Sequence, residues 1–203
     1  MKSPQSVKSL ENLGRVRLSK SFFMRDFLYS EIANFHGKQN IPVTPDLAIA
    51  NGRHLCEELL EPLNATFGRI AVRSAYRSPS INELGNAMGH NCGSNEKNNA
   101  GHIWDTPNKT GHGAMACVIV PWFTDRYADG ADWRALAYWI HNHLPYSVLQ
   151  FFPNLCAFNI GWHEQPRRAI YSEMPTQIEL PHGQPPKADY AQWYAGFPEF
   201  RRA

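Results

Sequence analysis

Two arginines on a short alternating segment, Arg73-Ser74-Ala75-Tyr76-Arg77-Ser78-Pro79, are the clearest chemical signal in the chain. Guanidinium groups near a strand end offer planar, paired donors that suit a carboxylate or a phosphate. Downstream, residues 85–113 gather groups that ligate metals or move protons: His90, Cys92, His102, Asp105 and His112. His102 and Asp105 stand at i and i+3, the form of a ligating imidazole with a carboxylate that orients it. The His90-Asn91-Cys92 step followed by His102 matches no zinc-binding spacing. Cys117 and His163 add two further ligand types in segments that read as strands. A thiolate at Cys117 suits zinc, iron or copper and is softer than a carboxylate. Blander readings stand beside these: solvated arginines at a Ser-Pro turn, a polar loop tied by its own side chains, and a small buried thiol.

These residues need elements to position them. Thr44, Pro45 and Asp46 make a helix start, with a cap, a proline in the first turn and a carboxylate at the positive end of the dipole. From there Leu55, Leu59 and Leu63, widened by Leu60, predict a long core-facing helix ending near Gly68. Residues 18–35 suit a short amphipathic helix or two turns. Residues 69–76 read as a strand, the stretch after Ser78 as a short helix, and 85–113 as an irregular loop of the length that often carries function. A buried strand is expected over 114–122, then a helix capped by Asp132 and stopped by Pro145. Three closing strands follow at 147–152, 156–163 and 167–173. Residues 1–17 read as a tail, 18–174 as the domain and 175–203 as a tail or strap. Helices segregated from a mixed, mainly antiparallel sheet make an α+β fold.

Composition narrows the partners. The 203 residues hold 20 basic and 18 acidic side chains, so charge gives no reason to expect nucleic acid. No window approaches the ~20 apolar residues of a spanning helix, which argues against a membrane. The N-terminal twenty residues are basic without an apolar stretch, so no secretory signal is expected and the default compartment is cytoplasmic. The four cysteines include no C-x-x-C pair, and Cys56 and Cys156 are expected as buried free thiols.

The stretches LSKSFFMRDFLYSEIA and LCEELLEPLNATFGRIAVRSAYRSPSIN resemble the first half of the zinc D-Ala-D-Ala carboxypeptidases and related peptidoglycan endopeptidases, whose core the Hedgehog signalling domain shares. The resemblance implies that fold, with Arg73, Ser74, Tyr76 and Arg77 at a small anionic or peptide substrate. It also implies one divalent transition metal, zinc first, held by two histidines and an aspartate, and a glutamate base. Here Thr110-Gly111-His112 resembles the first metal motif, and His102 is the alternative if 106–112 are inserted. Cys117 stands where the aspartate is expected. The W-x-H segment resembles residues 157–168, with Asn159 at the histidine and His163 four residues on. The expected metal set is therefore His102, His112, Cys117 and His163, with Glu164 as the one candidate base. A metal-dependent peptidoglycan-peptide hydrolase, or a diverged His/Cys metalloenzyme, follows from this. The alternative is a non-catalytic binding module on the same fold.

Overall fold

A computed structural model, which describes residues 1–202, places a helix in the segment expected as an N-terminal tail: α1 (Val7–Gly14). Its start is a reciprocal cap. The Ser6 hydroxyl accepts from Ser9 N at 3.2 Å, and the Ser9 hydroxyl accepts from Ser6 N at 2.9 Å. Leu13 at its end is fully buried in the main core. The short α2 (Glu31–Phe35) follows, capped by Ser30 onto Ala33 N.

The long helix is α3 (Pro45–Leu55), a π-turn over Cys56–Leu60, and α4 (Glu61–Phe67), ending at Gly68 with φ +82°. Pro62 explains the interruption. It has no N–H to give the carbonyl four residues back, and its ring would crowd that carbonyl, so the preceding turn widens. Leu55, Leu59, Leu60 and Leu63 are nevertheless all fully buried. The remaining elements are β1 (Ala71–Ser74), α5 (Pro79–Ala87), α6 (Asn95–Asn98), β2 (Gly113–Ile119), α7 (Pro121–Ala128), α8 (Trp133–His143), β3 (Val148–Phe151), β4 (Phe158–His163), β5 (Ala169–Glu173) and β6 (Thr176–Leu180). The expected strand over 114–122 thus stops at Ile119, because Pro121 opens a helix instead.

The six strands form one mixed sheet in the order β1-β2-β4-β3-β5-β6. Only β3 and β5 run parallel; the other neighbours are antiparallel. The protein is α+β. Alternation along the strands divides the sheet into two faces. Ala114, Ala116, Val118, Leu149, Phe151, Phe158 and Ile160 point into the core that also holds α3, α4 and α8. Residues beyond 174 join the same body: β6 pairs with β5, and the chain then lays Tyr194, Phe197 and Phe200 against Phe67, Trp139 and His143. Among the described residues, no helix is long and apolar enough to cross a membrane.

Part of the 85–113 loop is sewn tightly to this frame. Asp105 is 5% exposed and accepts from Val43 N at 2.8 Å, Thr44 N at 3.0 Å and the Tyr76 hydroxyl at 3.2 Å. Its carboxylate is therefore committed to the entry of α3 and the end of β1, and is not the orienting partner expected for His102. Removing it leaves buried donors unpaired, each costly to strand. Asp105→Ala should lower stability by about 3 kcal/mol, read as a lower urea midpoint with an unchanged slope. A midpoint equal to the parent's would mean that this carboxylate does not hold the loop.

Candidate functional site

On the open face of the sheet, alternation puts five side chains in one row. Ser74 pairs with Cys117, Cys117 with Asn159, Asn159 with Gln150, and Gln150 with Tyr171. Asn159 donates to Gln150 Oε1 at 3.3 Å, and Gln150 donates to Glu173 at 2.9 Å. The β1 end of this row is the floor of a cleft of about 680 Å³. Its walls come from the Tyr29–Phe35 segment and from residues 89–92, with Arg77 and His102 between them.

His102 is the best-defined group there. It is 5% exposed, and its Nδ1 lies 2.8 Å from the Ala75 carbonyl. A carbonyl only accepts, so Nδ1 carries the proton. Burial, and then the Arg77 charge, pull its pKa down to about 3. The ring is therefore neutral near pH 7, and its Nε2 keeps a lone pair. In the same cleft, burial pushes the Cys117 thiol up to about 11, opposed by the charges of Arg73 and Arg77 and reinforced by Glu31. That is a protonated, unreactive thiol in the absence of a cation.

The two arginines differ. Arg73 is exposed at a bulge in β1, beside Ser74. Arg77 is half-buried; its Nη1 donates to Asn82 Oδ1 at 3.3 Å and lies 2.7 Å from Cys92 Sγ, while its backbone N donates to the His102 carbonyl at 2.8 Å. Tyr76 is fully buried with its hydroxyl on Asp105. The expected substrate contact at Tyr76 is thus occupied by a framework hydrogen bond.

The four expected metal ligands do not form one site. His102 and Cys117 both line the cleft. His163 lies at the other end of β4, opposite Gly113, four residues from Asn159 and so about 13 Å along the strand. Both its nitrogens are engaged: Nδ1 accepts from Gln165 N at 2.9 Å, and Nε2 faces Asn108 Oδ1 at 3.3 Å. His112 belongs to that same far end, where its backbone N donates to Glu164 Oε2 at 2.7 Å and its carbonyl accepts from Glu164 N at 3.0 Å. Glu164 closes the strand end over Gly111, whose φ of +135° leaves no room for a side chain against that carboxylate. The expected base is therefore at the opposite end of β4 from the cleft. Among the described residues, no group of three or more His, Cys, Asp or Glu side chains is placed around a common metal position.

One cleft residue escaped the sequence reading. Glu31 is the one carboxylate among the described residues lining the cleft. It carries no local signal, because it reaches the site through the packing of α2 against α5. His90, which the sequence did single out, sits on the rim. Comparison with protein-family models, curated proteins and solved structures gives no match to this chain.

The neutral His102 has a measurable consequence. Above its ordinary value of 6.5 the ring is uncharged in the folded and unfolded chain alike, and its contribution to stability is complete. As pH falls from 6.5 toward about 3, the unfolded chain takes up a proton that the folded one refuses. Stability is then lost at up to about 1.4 kcal/mol per pH unit. His102→Gln should remove that part of the acid slope in denaturation curves between pH 6.5 and 4. Parent and variant curves that stay parallel over this range would contradict the assignment.

Proposed function

We propose that the protein has the carboxypeptidase-like fold its first half resembles, and that its cleft takes a small carboxylate-bearing or peptide ligand beside a transition metal held by His102 and Cys117. The observation that carries this reading is the state of His102. A neutral imidazole whose Nδ1–H is tied to a backbone carbonyl, with Nε2 left as an acceptor for the Asn159 side chain in a cleft that Cys117 also lines, is the arrangement of a ligating histidine. The donor set fits a metal in part: one firm imidazole, one thiol that must lose its proton on binding, and the weak Asn159 amide oxygen. Zinc, iron and copper all accept such nitrogen and sulfur donors. When bound, the metal would supply Lewis acidity to a carbonyl of the ligand.

The chain's own residues do the rest. Arg77, held in place through Asn82, presents its guanidinium to the ligand's carboxylate, and Arg73 adds charge from the bulge. Glu31 is the carboxylate available to take a proton in the cleft. It stands at the exposed start of α2, without a fixed partner to aim it. That geometry, together with the remote Glu164, favours a second reading: a binding module that keeps the anion cleft and performs no hydrolysis.

Elemental analysis of reduced, zinc-reconstituted protein separates the two, run beside Cys117→Ala and with calorimetric titration of N-acetyl-D-Ala-D-Ala. One equivalent of metal that the parent carries and Cys117→Ala lacks supports the metal site. Dipeptide binding weakened tenfold or more by Arg77→Ala, equivalent to about 1.4 kcal/mol, supports the anion cleft. Dipeptide binding without metal leaves the binding module, and absence of both removes the proposal.

A further inference from the structure

On the rim of the cleft two imidazoles meet head-on. His36 Nε2 and His90 Nε2 are 3.2 Å apart, with ring centroids at 5.5 Å. His36 caps the C-terminal end of α2, and its ring is packed edge-on against Phe35. His90 stands in the turn after α5 between Gly89 at φ +72° and Asn91 at φ +54°. Left-handed positions on either side of it fix the direction in which the ring leaves the chain. The residues are 54 apart in sequence, so the contact is made by the fold and not by local spacing.

In the metal-free pair one ring donates its Nε2 proton to the other. The same geometry is close to a chelate. A zinc ion with nitrogen ligands at 2.0–2.1 Å in tetrahedral geometry holds them about 3.3 Å apart. Replacing the shared proton by a cation therefore asks for a change of about 0.1 Å in separation and a modest pivot of the rings. The ring that had donated shifts to the tautomer protonated at Nδ1, so no proton need leave the protein. His36 is partly and His90 largely open to solvent, so water can complete the coordination shell.

We propose that His36 and His90 form a second, two-histidine site for a borderline divalent cation of the zinc, nickel or copper class, which clamps α2 to the 89–92 turn. Residues 89–92 and Phe35 both line the cleft. A cation here would tie one side of the mouth together without touching the His102–Cys117 floor. The site uses none of the residues on which the function proposed above depends, and it stands or falls separately.

The test is titration of zinc and of nickel into reduced protein by calorimetry, in a Cys117→Ala background that empties the floor. One equivalent of binding is expected there, with a rise in the thermal midpoint on adding zinc. His36→Gln and His90→Gln should each weaken that binding at least tenfold, because a chelate loses its second arm in either variant. Both positions are on the rim, and circular dichroism and the metal-free midpoint should match the background. Binding in the Cys117→Ala background that survives either substitution, or no binding there at all, overturns the proposal. Failure of the floor site leaves the result of this titration unchanged.

Discussion

The turn at residues 100–105 is the constraint on which the cleft depends. Its attachments include Asp105 to the start of α3, Asp105 to Tyr76, the Trp104 carbonyl to Asn51 at 2.7 Å, the Gly101 carbonyl to Met115 N at 3.1 Å, and the His102 carbonyl to Arg77 N. The Trp104 indole adds a bond to the Met115 carbonyl at 3.0 Å, and is itself fully buried. A polar segment can enter the interior only when its backbone groups find partners. Here those partners come from β1, β2 and α3 together. The result is an imidazole held to one orientation at the end of two strands.

Electrostatics at the floor follow from that placement. Burial makes the neutral forms of His102 and Cys117 the stable ones, and the nearby guanidinium charges oppose protonation of the ring while easing loss of the thiol proton. The same arginine, Arg77, thus acts on both groups of the floor.

The far end of β2 and β4 has a different character. Glu164, His112, His163 and Asn108 are chemically attractive residues whose hydrogen bonds close a strand end. By sequence, Glu164, His112 and His163 are expected as base and ligands because their segments resemble the first metal motif and the W-x-H segment. Pairing of β2 with β4 puts Cys117 beside Asn159 and Gly113 beside His163, and so divides one expected cluster into two separate places. Register along a strand is a matter of ~3.3 Å per residue, and four residues are enough to leave a metal site.

The sequence alone determined the α+β class, the amphipathic helix through Leu55, Leu59 and Leu63, and the Asp132-capped helix. It also located the buried strand that carries Cys117 and the Arg-Ser-Pro turn that brings Arg77 to a strand end. Those are local properties: periodicity, caps and prolines act within a few residues. Only the tertiary structure decided that residues 1–17 carry a helix, that Tyr76 and Asp105 pair with each other, and that Glu31, His36 and His90 share a rim. Such contacts join residues tens of positions apart through packing. Their geometry is set by strand register and helix docking, and neither leaves a trace in the spacing of the residues concerned.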